Sequence, residues 1–411
     1  MWHINRIHIC VISKIVSKSF FLSKSLTKYS THSKRIVLGI ESSCDDTAAA
    51  VVDEAGTVLG EAINSQTELH VEVGGIVPHV ARDLHQLHID DVVQSTLHNA
   101  GISLEDVDAV ATTVKPGLHM SLDVGMKYTK QLLKNTWKPF IPIHHMEAHA
   151  LTARMIDSSI EFPFLVLLAS GGHCLLAVAE AVDHFLLLGK SLDVAPGDSF
   201  DKIARALKLV LLPEYQGLCG GAAVELMAKG GDPHAFVRTP IMQAHVNCDF
   251  SFSGVQTRFE QQIEKQEAEL GLDLNRVLPS VSDICASFQY NILQHLSNRV
   301  QRAIIFCHRE KLLPLNDATV VLSGGVASNQ FLRQGLQRVC EAHGTRLVCP
   351  PPKLCTDNGI MIAWNGIEKL KTGLGIEDIN SVEVLPRCPL GRDISADVDA
   401  ASIKVWKIPL L

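Results

Sequence analysis

A two-lobed α/β protein built on an internal duplication, with its ligand in the cleft between the lobes, is predicted by three observations. Residues 36–63 (IVLGIESSCDDTAAAVVDEAGTVLGEAI) read as strand, short polar loop, strand, turn at Glu54-Ala55-Gly56 and strand. Residues 164–192 (FLVLLASGGHCLLAVAEAVDHFLLLGKSL) repeat that order, this time around a Gly-rich loop. Between them lie helical patterns such as 79–100, where Val80, Leu84, Leu87 and Val92 recur at helical spacing.

A meander with helices, present twice, is the pattern of actin-like and sugar-kinase-like folds, in which a nucleotide occupies the interlobe cleft. The expected division is a first lobe over 36–150, a second over 151–365 and a C-terminal extension over 366–411. With 411 residues and 46% hydrophobic content the chain can bury a sizeable core. No apolar run approaches the length of a membrane span.

Residues 1–35 differ from the rest. They hold Arg6, Lys14, Lys18, Lys24, Lys28, Lys34 and Arg35, many Ser and Thr, and no acid precedes Glu41. Basic, Ser-rich and acid-free is the composition of a mitochondrial transit peptide, cleaved between roughly residues 25 and 36. Without those seven cations, 30 of the 37 Lys+Arg remain against 44 Asp+Glu. So acidic a body does not suggest a nucleic-acid partner unless a local basic strip supplies the contact. None of the 11 Cys forms C-x-x-C, which suits reduced thiols in a matrix or cytosolic enzyme and not a disulfide framework.

A third Gly loop follows a strand at 319–342 (TVVLSGGVASNQFLRQGLQRVCEA). Val320-Val321-Leu322 is the strand, Gly324-Gly325 the turn, and Ser328 or Asn329 opens a helix. A strand feeding a Gly turn at a helix N-terminus presents backbone N–H groups to an anion. None of these loops is a Walker A or a G-x-G-x-x-G, so P-loop and Rossmann readings fail.

His145 and His149, in HHMEAH (144–149), share one helix face, which is half of a metal site. The only acid there, Glu147, falls on the opposite face, so the general base of an H-E-x-x-H peptidase is missing. Buried histidines capping a packed helix account for the spacing equally well. Asp357, in PPKLCTDNG (351–359), reads locally as the N-cap of the helix that follows. It would also complete a two-His, one-carboxylate set that leaves coordination positions open.

Eight motifs occur in order: IESSCDDTA (40–48), GGIVPHVARDLH (74–85), HHMEAH (144–149), ASGGH (169–173), DSFDKIARAL (198–207), DFSFSGVQT (249–257), SGGVASN (323–329) and CTDNGIMIA (355–363). Together, from residue 36 to about 365, they resemble the threonylcarbamoyl transferases that modify adenosine 37 of tRNA, proteins once described as O-sialoglycoprotein endopeptidases. The leader points to the mitochondrial branch. The resemblance implies the actin-like fold and transfer of threonylcarbamoyl from L-threonylcarbamoyladenylate, made by a separate adenylate-forming enzyme, to N6 of the adenine, with release of AMP. It implies tRNA as a partner, a homodimer, a mitochondrial-matrix location, and one divalent metal ion on His145, His149 and Asp357, with Fe, Zn and Mg not distinguished.

The resemblance also implies that Leu168, Ala169, Ser170, Gly171 and Gly172 face the threonylcarbamoyl-phosphate end through backbone N–H groups. Asp201 would accept from ribose hydroxyls, Gly221 and Glu225 would line the nucleoside site, and Ser328 with Asn329 would complete it. No general base is assigned. Two departures stand out: Cys219-Gly220-Gly221 where the family often has Pro-Gly-Gly, and Lys115 in TVKPGL (113–118) where it has Gly. Lys115 reads either as an RNA contact or as a solvated lysine. The competing classes are a metallopeptidase, which lacks its base, and an ATPase or kinase of the same fold, which has no need of the histidine pair.

Overall fold

The structure, a computed structural model, describes residues 34–72, 75–236, 242, 245–273 and 275–411. The expected leader lies outside the described residues except for Lys34 and Arg35. The first lobe runs β1 (Ile36–Glu41), β2 (Asp46–Asp53), β3 (Val58–Ser65), α1 (Thr67–Glu72), α2 (Pro78–Ala100), β4 (Ala109–Lys115), α3 (His119–Leu133), β5 (Phe140–His144) and α4 (His145–Ile156). The second begins with β6 (Phe164–Ala169), β7 (Cys174–Ala181), β8 (His184–Lys190), α5 (Pro196–Ala206), α6 (Gly220–Met227), α7 (Ser253–Leu270) and α8 (Val281–Arg309). It continues with β9 (Thr319–Ser323), α9 (Gln330–Ala342), β10 (Arg346–Val348), α10 (Gly359–Thr372), β11 (Arg392–Asp393) and α11 (Ser395–Ala401).

The duplication is visible in the strand orders. The first sheet is β3-β2-β1-β4-β5 and the second β10-β9-β6-β7-β8-β11. In each, two antiparallel hairpins lead into parallel strands: β1 with β4 and β4 with β5, then β6 with β9 and β9 with β10. Parallel strands open a crevice beyond their carboxyl ends. Glu41, Lys115 and His144 end β1, β4 and β5, and Ala169 and Ser323 end β6 and β9, so both lobes deliver their loops to one place.

Helices α4 and α10 fill the space between the sheets, within a core that includes Val37, Ile141, Leu151, Val166, Val321 and Ile362. Helix α10, late in the sequence, packs on β1 and β2 of the first lobe, and glycine permits this. A Cβ on Gly39 would meet the Ala363 backbone nitrogen at 2.2 Å, and one on Gly359 the Ala49 carbonyl carbon at 2.3 Å. The backbones touch directly, and Asp357, just before α10, is thereby brought to the end of α4.

Two local readings need correction. In α2 the buried face is Ala81, His85, Ile89, Val92, Val93, Thr96 and Leu97, so Val92 lies where expected while Leu87 is 66% exposed. The helix turns polar groups inward because His85 Nδ1 lies 2.7 Å from the Thr47 hydroxyl and its Nε2 lies 3.0 Å from the Cys44 carbonyl. Nor is Asp357 the N-cap of α10: Asn358 is, its Oδ1 accepting from Met361 N at 2.8 Å. Beyond α10 the chain serves both lobes. Glu377 bridges to Phe140 and Val382 joins the first-lobe core, whereas β11 pairs with β8 and Val398, Ile403 and Leu410 join the second. Among the described residues no helix is long and apolar enough to cross a membrane.

Candidate metal centre and substrate cleft

Helix α4 begins where β5 ends, with His144 capping it by accepting from Met146 N. This presents His145 and His149 on one face, their rings edge to face at 4.7 Å. Asp357 Oδ1 lies 3.0 Å from His149 Nε2 and 3.4 Å from His145 Nε2. One donor atom from each of the three falls within 4.8 Å of the others, a set that could hold a metal ion. Behind His145, its Nδ1 is 3.3 Å from Glu41 Oε2 and 3.1 Å from Ser43 Oγ. A carboxylate on the far nitrogen orients a metal-binding imidazole and strengthens it as a ligand.

The electrostatics favour a cation at this point. Burial pulls the His145 pKa down, but the Asp357 and Glu41 carboxylates outweigh it and raise it to about 10. Burial would raise Asp357, yet the two imidazoles hold it well below the usual carboxylate range. Glu41 is fully buried and likewise lowered by His145 against the effect of burial. The two carboxylates thus draw positive charge to this point, held by His145 as a proton here and replaceable by a divalent ion that takes the imidazoles in their neutral form.

Across the cleft, Leu168 and Ala169 are buried within β6, and ASGGH turns toward the triad, since His173 senses the charges of His145, Asp357 and His149. The loop's N–H groups are partly engaged within the loop itself. Ser170 Oγ accepts from Gly172 N at 3.3 Å and His173 N at 3.1 Å, and Ser170 N donates to His173 O. A phosphate taking the Gly172 N–H would displace that hydroxyl. Asp201 packs closely on the start of α6, where a Cβ on Gly220 would meet its Oδ1 at 2.5 Å. From α6, Glu225 Oε1 accepts from Gln330 N at 2.6 Å. Asn329 caps α9 through Leu332 N, and its Nδ2 is buried without a protein partner. Asp201, Gly221, Glu225, Ser328 and Asn329 thus form one connected rim. A contact between Ser328 and Cys355 ties that rim to the loop bearing Asp357.

The family profile of TsaD, tRNA N6-adenosine threonylcarbamoyltransferase, matches residues 57–364. The chain belongs to this family. A human protein named mitochondrial tRNA N6-adenosine threonylcarbamoyltransferase is 55% identical over 377 residues, 92% of this chain and 91% of its own length. A Drosophila melanogaster protein with the same name, given as probable, is 40% identical over 384 residues, covering 91% of this chain and 94% of itself. A Rhodospirillum rubrum tRNA N6-adenosine threonylcarbamoyltransferase is 40% identical over 381 residues, covering 90% and 98%. Among solved structures, HypF from T. kodakarensis superposes with a TM-score of 0.50 at 13% identity, over 84% of this chain and 49% of that one. The fold is the actin-like, sugar-kinase-like one.

In this threonylcarbamoyltransferase family member, sequence reasoning missed Glu41 and Ser43, although both stand in the first motif. The available signal was an acid closing an otherwise apolar strand, IVLGIE. It also missed the partner of Glu147, which pairs with Lys369 of α10 at 3.0 Å in a nearly buried contact. Glu147 is therefore engaged away from the triad.

Proposed function

We propose that this chain transfers the threonylcarbamoyl group of L-threonylcarbamoyladenylate to N6 of adenosine 37 in mitochondrial tRNAs that read codons beginning with A. The adenine N6 attacks the carbamoyl carbon, the bond from that carbon to the AMP phosphate oxygen breaks, N6 loses a proton and AMP leaves. The observation that carries this reading is the His145, His149 and Asp357 cluster facing the ASGGH loop, in a chain 55% identical to a named transferase over nearly its full length.

Those three residues would hold one divalent metal ion, with Glu41 and Ser43 orienting His145. Bound there, the ion would supply Lewis-acid and templating chemistry for the phosphate and the mixed anhydride. The chain's own contributions are positional. Residues 168–172 would receive the threonylcarbamoyl-phosphate end, with Ser170 releasing the N–H groups it holds. Asp201, Gly221, Glu225, Ser328 and Asn329 would receive the nucleoside, Asn329 Nδ2 being a donor already buried and in need of an acceptor.

A peptidase finds no support, because Glu147, the only acid of HHMEAH, is neutralised by Lys369. We further place the enzyme in the mitochondrial matrix, freed of a leader over about residues 1–35, acting as a homodimer on adenylate made by a separate enzyme. The test is reconstitution of the purified chain with an adenylate-forming enzyme, threonine, bicarbonate, ATP and unmodified tRNA. Threonylcarbamoyladenosine should form only when the chain is present, and its absence would overturn the proposal.

A further inference from the structure

The tail after α10 lies beyond the family profile, which ends at residue 364, yet it builds part of the cleft mouth. Leu385 N donates to Val114 O at 2.9 Å, and Gly117 N donates to Pro386 O at 3.2 Å. The loop 385–388 is therefore fastened to the turn after β4. That turn is itself pressed on the site: Leu118 N donates to Ser43 O, and a Cβ on Gly117 would meet Ser43 O at 2.6 Å. Lys115 pairs in register with His144, the neighbour of His145, so the two backbones are about 4.8 Å apart.

Two cations stand on this rim. Lys115 is partly buried and Arg387 exposed. Glu147, whose carboxylate Lys115 helps to stabilise, is already paired with Lys369 at 3.0 Å. Of the other charged groups in these segments, Asp123 is paired with Lys127 at 2.6 Å, and Glu383 precedes the loop by two residues. Pro386 and Pro389 fix φ on either side of Arg387 and Cys388, so the backbone that carries the arginine is restricted before any partner arrives. The cleft floor behind them is acidic, with Glu41, Asp45, Asp46 and Asp357. An RNA strand delivering a base to that floor brings its flanking phosphates to the rim, where an acidic protein must supply local positive charge.

We propose that Lys115 and Arg387, joined by the bonds between the 114–117 turn and the 385–388 loop, form a cationic clamp for the tRNA phosphates that flank the reacting adenosine. This rests on the transferase reading. Of the two roles open to Lys115, RNA contact or solvated lysine, the clamp selects the first.

The test is steady-state transfer by Lys115→Ala, Arg387→Glu and the double variant, varying tRNA and adenylate separately and repeating at several salt concentrations. Each single change should raise KM for tRNA at least about threefold and the double change about tenfold or more, because removing a cation from a phosphate weakens binding uniformly. The kcat, KM for adenylate, metal content and Tm should hold. The slope of log KM against log salt should become shallower by about 0.7 for each single-strand phosphate that is no longer neutralised. Arg387→Lys should restore most of the affinity. An active wild type whose variants keep the same tRNA KM and salt slope would overturn the clamp, as would a rise in adenylate KM instead. Should the wild type make no threonylcarbamoyladenosine, the function reading falls, and direct tRNA binding by the same variants still decides the clamp.

Discussion

Glu41 Oε2 sits 3.3 Å from His145 Nδ1, on the side of the ring away from Asp357. It also accepts from the Thr113 hydroxyl at 2.6 Å, and it has no exposed surface. Glu41→Gln keeps the shape and one acceptor but removes the charge that orients His145. Metal affinity should drop about 10- to 100-fold. Competition with a coloured chelator measures this, and unchanged affinity would make Glu41 a core residue only.

Neighbouring residues separate ligand from cap. Asp357→Ala should abolish metal binding and transfer together, whereas Asn358→Ala should lose about 1 kcal/mol of stability and keep both. Metal analysis beside thermal melting distinguishes them. An Asp357→Ala protein that remains metal-loaded and active would remove that residue from the centre.

Glu147 and Lys369 have side chains only 12% and 9% exposed. Glu147→Gln should therefore destabilise the protein by about 3 kcal/mol, because it strands a buried ammonium. Metal content and transfer by the folded protein should persist. A metal-loaded, folded but inactive Glu147→Gln enzyme would reopen the hydrolase reading.

Asp46 has an oxygen buried without a partner, and burial pushes its carboxyl up from 3.8 to about 7. Between about pH 4 and 7 the folded state then holds a proton that the unfolded chain has released. This contribution to stability is present at low pH and lost as pH rises to 7. Asp46→Asn cannot lose that proton, so its Tm should gain on the wild type progressively across the window. Parallel curves would show that Asp46 titrates normally.

The paired meanders were legible because hairpins with apolar alternation and polar turns declare themselves locally, and three strands do follow one another in each segment, the first set running on to Ser65. The face of α2 was not. His85 and Thr96 point inward to satisfy backbone and hydroxyl partners that only tertiary structure supplies. Asp357 was ambiguous because Asn358 beside it is an equally good cap, and 208 residues separate it from His149. Family resemblance joined them, where spacing had no means to. Glu41 went unassigned because its partner, His145, is 104 positions away.

The glycine contact between α10 and β1 bears on what the molecule can do without coming apart. Asp357 is fixed by α10 to the first sheet, and α4 packs against α10 within the same core. The triad is therefore braced on the first sheet, while the loops at 169–173 and 323–329 follow β6 and β9 of the second, whose Val166 and Val321 pack in the same core. A methyl group on either Gly39 or Gly359 would push α10 off the sheet and carry Asp357 away from the histidines.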